Sequence, residues 1–439
     1  MTHYIDPAPA TLLPLESGTF GEFPDGPLSV RRTVLPSGVR VLTEAMPGVR
    51  SATVGLWMPV GSRDESSEQG GAAHFLEHLL FKGTRARTAL QIATSFDEVG
   101  GESNAATAKE STHYYARVLD DDLAMATSVL VDMVTSSTLE SEDIETERGV
   151  ILDELAMSED SPQDVVHDAF FAAAFGDSAL GRPIGGTPET VKATSANQIR
   201  ELYSDKYVPP SLTVVCAGNV DHEAFCGLVS GELEKAGWMG ASLAGYRRGV
   251  VPGGFDAPTE KVLHRDSEQA HVLVGGRWLP NGDPRRPVST LLTTVLGGGT
   301  SSRLFQEIRE KRGLAYTAYA FEMGMSDCGL FGMYAGCAVE NLAEIEKIMW
   351  GEVERLAGGD LSEDELSRAR GQLRGGVALG LEDSASRMTR LGRAELSGKF
   401  TSVDGVLSRF DVVSVDDVTR MAAELLGCPR ARAAVLPFE

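Results

Sequence analysis

Two histidines and a glutamate, His74, Glu77 and His78, stand close together in the otherwise apolar segment HFLEHLLFKGT. Residues four apart in an α-helix lie on one face about one turn apart, so the two imidazoles can hold one metal ion with the glutamate beside it. The alternative is that all three are polar residues on the outer face of a helix. Because a catalytic zinc site needs a third protein ligand and keeps its fourth position for water, this segment alone does not complete one.

A carboxylate from another segment is the expected third ligand, and Glu154 is the candidate. Glu147 lies two turns earlier on the same predicted helix, so both carboxylates face the same way, and Glu147 can support a ligand histidine through a hydrogen bond. The alternative is that EDIETERGVILDELAMSED is only a solvated acidic face, because charged runs usually lie in water.

The spacing of apolar residues predicts the elements that position these groups. SVRRTVLPSGVRVLTEAMPGVRSATVGLWMPVGS alternates β-branched residues around a turn, which predicts three strands. Phe75, Leu76, Leu79 and Leu80 recur at helical spacing, which predicts a buried helix before Gly83. Helices are also predicted for TALQIATSFDEVGG, for Asp121 to Thr135 and for the segment from SEDIETERG onward. Strands are predicted for ESNAATAKESTHYYARVL. Helices and strands mix without a βαβ rhythm, so the expected class is α+β, with a mostly antiparallel sheet and helices on one face.

The two halves of the chain resemble each other in the same order. HFLEHLLFKGT falls on TLLTTVLGGGT, and EDIETERGVILDEL falls on DELSRARGQLRGGV. This self-similarity predicts two homologous domains, of which the second has lost the polar set. Thr290, Thr293 and Thr294 replace His74, Glu77 and His78, while Ala369 and Gly376 replace Glu147 and Glu154.

Composition predicts the boundaries of these domains. A loose N-terminal arm is expected over 1–27, a domain with the candidate ligands over 28–230, a linker rich in glycine and small residues over 231–259, and a homologous domain without the ligands over 260–439.

The chain of 439 residues carries a formal net charge of −23, from 63 acidic and 40 basic residues. Such a charge repels phosphate backbones and anionic membranes, so neither nucleic acid nor a membrane is an expected partner. The acidity either attracts cationic peptides or serves only solubility. Five scattered cysteines without a C-x-x-C spacing indicate reduced thiols. With no signal-peptide pattern and no apolar run of membrane length, a cytoplasmic protein is expected.

The order of these motifs resembles a known family. His74-x-x-Glu77-His78 is the inverzincin motif, and with the downstream Glu154 it is similar to the pitrilysin-type metallopeptidases, in particular to the processing-peptidase-like branch with two homologous domains per chain. The resemblance covers most of the chain from about Val30. It implies one zinc ion per chain held by His74, His78 and Glu154, with Glu77 as the general base and Glu147 as a supporting carboxylate.

Two further segments carry the resemblance. GGESNAATAKEST looks like the family's edge strand, which implies that Asn104, Ala105 and Ala106 contact the substrate. EIREKRGLAYTAY resembles the segment that implies roles for Arg309 and Tyr316 in holding and polarising the substrate. The alternative for this pair is a surface arginine beside a buried segment. A zinc site, a carboxylate base and cationic or hydroxyl donors together suit peptide hydrolysis.

The expected function is therefore that of a zinc endopeptidase that hydrolyses unfolded peptides or processing segments in an enclosed chamber. The alternatives are a non-catalytic peptide-binding or scaffold subunit of the same family and a protease dedicated to maturing one peptide. The resemblance also implies a chamber built from two copies, so a homodimer is expected, with a monomer or a heterodimer with a homologous subunit as alternatives. His113 shows no ligand spacing and is excluded as a metal ligand, and Gly297-Gly298-Gly299 is expected to be a loop.

Overall fold

Two β-sheets, one from each half of the chain, form the framework of the protein. A computed structural model describes residues 4–238, 240 and 259–438. The strands of the first half are β1 (Thr11–Leu12), β2 (Phe20–Asp25), β3 (Leu28–Val34), β4 (Arg40–Ala45), β5 (Ser51–Met58), β6 (Glu102–Thr107), β7 (Thr112–Leu119) and β8 (Thr213–Gly218). Its helices are α1 (Ala72–Leu79), α2 (Ala89–Asp97), α3 (Leu123–Ser136), α4 (Ser141–Glu159), α5 (Pro162–Phe175), α6 (Pro188–Ala193), α7 (Ala196–Lys206) and α8 (His222–Lys235).

The second half repeats this plan with fewer strands. Its strands are β9 (Thr259–Arg265), β10 (Ala270–Trp278), β11 (Ala315–Gly324), β12 (Gly329–Cys337), β13 (Lys399–Phe400) and β14 (Arg430–Pro437). Its helices are α9 (Arg286–Gly297), α10 (Leu342–Ala357), α11 (Glu363–Gly380), α12 (Ser384–Ser397), α13 (Val403–Asp411) and α14 (Val415–Gly427), and a π-helical turn spans Phe305–Glu310.

The order of the strands reveals the duplication. The first sheet has seven strands in the order β2-β3-β4-β8-β5-β7-β6, and the second has five in the order β9-β14-β10-β12-β11. The last five strands of the first sheet have the same order and relative directions as the five strands of the second sheet. Each set has one parallel pair, β4 with β8 and β9 with β14, and its other pairs are antiparallel. The α+β class and the two related, mostly antiparallel domains predicted from the sequence are confirmed.

One face of the first sheet carries the helices that position the candidate site. Val54, Leu56 and Met58 alternate along β5 and pack into a core that includes Phe75 and Leu76 of α1 and residues of α3 and α8. This alternation follows from the two-residue period of a strand, which sends every second side chain to the same face. The helices are therefore anchored on the sheet by their apolar faces.

The opposite face of each sheet is covered by a helix of the other half. Trp57 packs with Met388 of α12 beneath the first sheet, and Phe170 of α5 belongs to the core beneath the second. The buried guanidinium of Arg32 pairs with Glu395 of α12 through two contacts of 2.7 Å. Removing one partner of such a buried pair leaves an uncompensated charge, so this exchange of helices ties the two halves together.

The prediction of a loose N-terminal arm over 1–27 is wrong for residues 4–27, which the structure describes. Strand β2 pairs with β3 at the edge of the first sheet, and Asp6 forms an ion pair with Arg409 in the second half. The strand was hidden because Pro24 and Gly21 interrupt its alternation, and an edge strand tolerates proline since one side of its backbone needs no partner.

The predicted linker 231–259 also begins too early. Helix α8 continues through Gly231 to Lys235. A single glycine weakens a helix without ending it, and the space around Gly231 is open, so packing does not require a glycine there. Residues 239 and 241–258 of that linker lie outside the described residues, so the other domain boundaries stay predictions. All five cysteines are free. None of the helices in the described part of the chain has the length and apolarity needed to cross a membrane.

Candidate active site

Helix α1 is held at its start by a carboxylate from the preceding loop. The backbone N–H groups of Gly71 and Ala73 donate to the Glu65 carboxylate at 2.9 and 2.6 Å. Gly71 has a φ of 93°, and a Cβ there would lie 2.4 Å from the carbonyl oxygen of Gly185, so only glycine fits this close approach. The first turn of the helix therefore has a fixed position against a second loop.

Three metal-binding side chains converge between α1 and α4. The Oε2 atom of Glu154 lies 3.4 Å from Nε2 of His78 and 3.9 Å from Nε2 of His74, and the two imidazole rings are 4.7 Å apart. One donor atom from each of the three residues lies within 4.8 Å of the others. The structure thus brings together the three residues that the sequence predicted, while their role as zinc ligands stays a prediction.

The donor set fits zinc. Two imidazoles and one carboxylate are the ligands of many catalytic zinc sites, and imidazole must be neutral to bind. Burial, and then the neighbouring His78, lower the pKa of His74 to about 4, so this ring is neutral at pH 7. Elsewhere in the described ranges, no other group of three such donors converges in this way.

Glu147 lies behind the candidate ligands and is not part of a solvated face. Its carboxylate is buried, with Oε2 at 3.2 Å from Nδ1 of His78 and Oε1 at 2.6 Å from Nζ of Lys82. A carboxylate on the second ring nitrogen fixes the tautomer and orientation of a metal-binding histidine. The alternative of a wholly solvated acidic face is therefore wrong for this residue.

Glu77 is placed beside the three donors but is bound by another element. Thr107, the last residue of β6, donates its hydroxyl to Oε2 of Glu77 at 2.5 Å. Burial is the main cause that raises the pKa of Glu77, against the opposing effect of this hydrogen bond. A carboxylate with a raised pKa is a better proton acceptor, as general-base work requires.

The predicted substrate strand β6 lies at an open edge. It is the last strand of the first sheet, pairs only with β7, and its residues alternate between exposed and half-buried. Ala106 and Thr107 also line the main cavity of the protein, whereas Asn104 and Ala105 lie farther along the same strand. An open edge can receive an extended peptide as an added strand.

A cavity of about 2670 Å³ is lined by both halves of the chain. His74, Glu77 and Glu154 contribute to its wall from the first half, and Asn281 and Glu322 contribute from the second. The candidate site therefore opens into a concave space between the two halves, which is partly open to solvent.

An ion-pair cluster joins the two halves at the wall of this cavity. Arg63 contacts Glu110 in the β6–β7 turn at 2.6 Å and Asp327 in the β11–β12 turn at 2.5 Å, and the backbone N–H of Ser326 donates to Glu110 at 2.9 Å. All three charged groups are largely buried. The cluster fixes the turn that carries the open edge strand relative to the second half.

Arg309 and Tyr316 lie together but not at this cavity. The guanidinium of Arg309 lies 4.1 Å from the centre of the Tyr316 ring and donates to the Tyr316 carbonyl at 3.2 Å. Tyr316 is 74% exposed at a β-bulge of β11, so the alternative of a buried segment is wrong for this residue. Neither side chain is part of the cavity wall that contains His74 and Glu154.

In the second half, threonines occupy the positions that correspond to His74, Glu77 and His78. Thr290, Thr293 and Thr294 lie on α9, and each donates its hydroxyl to a backbone carbonyl one turn earlier, at 2.9, 2.9 and 2.7 Å. Thr290 also donates to Oε1 of Glu322 on β11 at 2.6 Å, so threonines that bond to their own helix and to a neighbouring strand stand in place of the metal donors. Gly297 is the last residue of that helix, so the predicted loop is wrong for this residue, whereas Gly298 and Gly299 follow the helix.

Three residues of the site were not singled out from the sequence. Lys82 follows the end of α1 and Glu65 lies in the loop before it. The positions of both depend on tertiary packing, so their place in the sequence does not indicate a role in the site. Thr107 had a weak signal, since it belongs to the predicted edge strand and alternates with Ala106. The excluded His113 stacks on Trp57 with ring centres 4.0 Å apart.

The fold and the site are those of a metallopeptidase of two duplicated α+β domains, one of which bears the metal donors. A family model described as insulinase, peptidase family M16, matches residues 40–188, and one described as the peptidase M16 inactive domain matches 193–373. The chain belongs to peptidase family M16, which confirms the resemblance to the pitrilysin-type enzymes. The boundary between the two matches precedes α7 and β8, although β8 belongs to the first sheet.

Similar proteins support the same family. The chain is 50% identical over 407 residues, 91% of this chain and 88% of the relative, to an uncharacterized zinc protease of Streptomyces coelicolor. It is 44% identical to an uncharacterized zinc protease of Mycobacterium tuberculosis, over 94% of each chain. The crystal structure of a protease from Helicobacter pylori has the same fold, with a TM-score of 0.83 at 22% identity, over 93% of this chain and 99% of that one.

Proposed function

We propose that the protein is a zinc-dependent endopeptidase that hydrolyses unfolded peptides or processing segments inside its chamber. The observation that carries this proposal is the convergence of His74, His78 and Glu154 within 4.8 Å, with the half-buried Glu77 beside them. The relatives named as zinc proteases support the choice of metal. One zinc ion per chain is proposed, because the second half carries threonines at the corresponding positions.

His74, His78 and Glu154 would hold the zinc. When bound, the ion supplies a Lewis acid that polarises a carbonyl and lowers the pKa of water towards about 7. Glu147 keeps the His78 ring in one orientation through the contact of 3.2 Å to Nδ1. Glu77 accepts the proton of the attacking water and passes it to the leaving amine.

The edge strand β6 orients the substrate. An extended peptide added to this edge would use its backbone N–H and C=O groups, so recognition depends less on side chains. The hydroxyl of Thr107 then links the end of this edge to Glu77 at 2.5 Å. The peptide backbone and the proton acceptor are thereby connected through one residue.

A homodimer would complete the site. The half-buried Arg309 and the exposed Tyr316 suit stabilisation of the oxyanion, yet neither belongs to the cavity wall of its own chain. A second copy related by two-fold symmetry can bring the pair to the zinc of its partner. A heterodimer with a homologous subunit is the alternative arrangement.

Separating metal binding from turnover tests the proposal. His74→Ala, His78→Ala and Glu154→Gln should lower zinc content and cleavage of a quenched unstructured peptide together. Glu77→Gln should keep zinc and lose about 10²-fold or more of the turnover, since it removes only the base.

The exposed Glu142 on α4 offers a matched control, so Glu142→Gln should retain both properties. Cleavage by Glu77→Gln at the parent rate would refute the mechanism. Peptide binding by the zinc-loaded parent without cleavage of any peptide would instead favour the non-catalytic alternative. A preference for one peptide above all others would indicate a dedicated maturation protease.

A further inference from the structure

Helix α12 carries three arginines along one side, and two of them form ion pairs with the first sheet. Arg387, Arg390 and Arg393 are spaced three residues apart, so they follow one side of the helix. Arg387 donates to Glu44 at 2.6 Å, and Arg390 pairs with Asp25. These contacts anchor α12 to the first sheet.

Arg393 is different from the other two. Its side chain is exposed and has neither a hydrogen bond nor an ion pair to a residue in the described ranges. The nearby carboxylate of Glu395, on the same helix, is taken by Arg32 at 2.7 Å and Arg40 at 3.4 Å. Arg393 therefore has its charge available for an anion from outside the chain.

Arg393 lies where a peptide on the open edge would pass. It lines the main cavity and also a recess of about 580 Å³ that adjoins Ala106 of β6. His113 and Tyr115 form the floor of this recess, with ring centres 5.6 Å apart and nearly parallel planes. Burial, and then the charge of Arg393, lower the pKa of His113 to about 4, so the floor is uncharged at pH 7.

The register of β6 and β7 decides which substrate side chains reach the recess. Ala106 pairs with His113, so their side chains share the face of the sheet that α12 covers. Thr107 points to the other face, where it contacts Glu77. A strand added to β6 continues this alternation, so a substrate residue opposite Ala106 directs its side chain towards Arg393, and its two neighbours do not.

The wall of the main cavity does not share the acidity of the whole chain. It contains nine acidic and nine basic side chains, whereas the chain carries a net charge of −23. The overall charge, which favours cationic peptides outside, is thus no guide to preference inside.

We propose that Arg393, with the aromatic floor of His113 and Tyr115, is a specificity subsite for an acidic side chain of the substrate residue that pairs with Ala106. The guanidinium binds the carboxylate through two parallel hydrogen bonds, and the aliphatic part of the side chain lies on the rings. This inference rests on the strand addition of the proposed function.

Peptide binding tests the subsite without depending on cleavage. The probe is a labelled, extended Ala/Ser peptide in which glutamate or glutamine is placed at successive positions. Its affinity for the full-length, zinc-loaded Glu77→Gln chain is measured by fluorescence anisotropy. At one position glutamate should bind about tenfold more tightly than glutamine, the lower range for a hydrogen bond between charged groups, and the adjacent positions should show no such ratio.

Variants of Arg393 assign that ratio to its charge. Arg393→Gln should bring the ratio close to one, Arg393→Lys should keep part of it, and Arg393→Glu should reverse it in favour of a lysine peptide. Arg368 is a matched control, because it is exposed on α11 outside the cavity wall, and Arg368→Gln should retain the ratio.

The outcomes separate the subsite from the proposed function. A parent ratio near one at every position, or a ratio that survives Arg393→Gln, would overturn the subsite even if the native chain cleaves peptides. Failure of the native chain to cleave any peptide, together with an Arg393-dependent ratio, would leave the subsite standing and remove the peptidase proposal.

Discussion

Replacing Glu147 by glutamine tests whether a buried carboxylate holds the His78 imidazole ready for metal. In the native chain Glu147 contacts Nδ1 of His78 at 3.2 Å and Nζ of Lys82 at 2.6 Å. Glutamine keeps the shape of the side chain and can still accept one hydrogen bond from the ring. The change removes the negative charge and turns the second oxygen into an amide NH2 group, so the ring keeps an acceptor while the contact to Lys82 is lost.

The magnitude follows from the two contacts. A hydrogen bond to a charged group contributes roughly 1.5–3 kcal/mol, against about 0.5–1.5 kcal/mol for a neutral pair, so the loss is about 1.4 kcal/mol, or tenfold in zinc affinity. A comparable range of 10–100-fold is typical when the partner of a metal-binding histidine is changed. Lys82 adds little, because its side chain is 36% exposed and its charge remains hydrated.

Competition with a chelating dye measures the zinc affinity of the purified chain, and urea unfolding shows whether the fold is retained. Glu145→Gln is the matched control, since Glu145 lies on the same helix with its side chain 67% exposed and pairs with Arg148 on the surface. It should bind zinc as the parent does. Zinc affinity of Glu147→Gln within twofold of the parent, or an equal loss in Glu145→Gln, would refute the supporting role of Glu147.

Further predictions address stability, acidity, assembly and charge. Arg63→Ala should lower the free energy of unfolding by about 3–5 kcal/mol, because it removes the guanidinium that neutralises two largely buried carboxylates, and a urea midpoint equal to that of the parent would contradict the stabilising role of this ion-pair cluster. The pKa of His113 is lowered to about 4 in the fold from its ordinary value of 6.5, so its contribution to stability is full above about pH 6.5 and is lost as pH falls towards 4. His113→Gln should therefore lose less unfolding free energy than the parent over this pH range, and an equal loss in both chains would contradict this role. Mixing inactive Glu77→Gln and inactive Arg309→Ala chains should restore part of the activity if subunits exchange, and no recovery despite exchange would exclude a shared site. Raising the salt concentration should reduce any preference for cationic over acidic peptides that arises at the outer surface, because screening acts over about 8 Å at physiological ionic strength; a preference independent of salt would limit the role of the net charge to solubility.

The helix that carries His74 and His78 was predictable because its information is local. His74 and His78 are one turn apart, and Phe75, Leu76 and Leu79 between and after them define the buried face, so the polar face follows from helical geometry alone. The strands and the duplication were predictable for a similar reason, since strand alternation and repeated order are properties of the sequence. The choice of Glu154 needed only the expectation of a third ligand on a helix.

The tertiary structure decided what depends on segments far apart in the chain. Several contacts of the site join segments whose separation in the sequence follows no helical or strand period. Thr107 contacts Glu77, Lys82 contacts Glu147, and Glu65 accepts hydrogen bonds from the start of α1. The exchange of α5 and α12 between the sheets was equally hidden, because an amphipathic helix specifies that it needs an apolar surface but not which one.

The sequence by itself therefore determined which residue types stand one helical turn or one strand step apart, and with them the candidate metal donors, the candidate base and the edge strand. Only the tertiary structure decided what surrounds them: the buried state of Glu147, the exposed state of Tyr316, and the position of Arg393 beside the edge strand. The physical reason is that local periodicity is set by backbone geometry, whereas burial, pairing of charges and the shape of a cavity depend on which distant surfaces pack together.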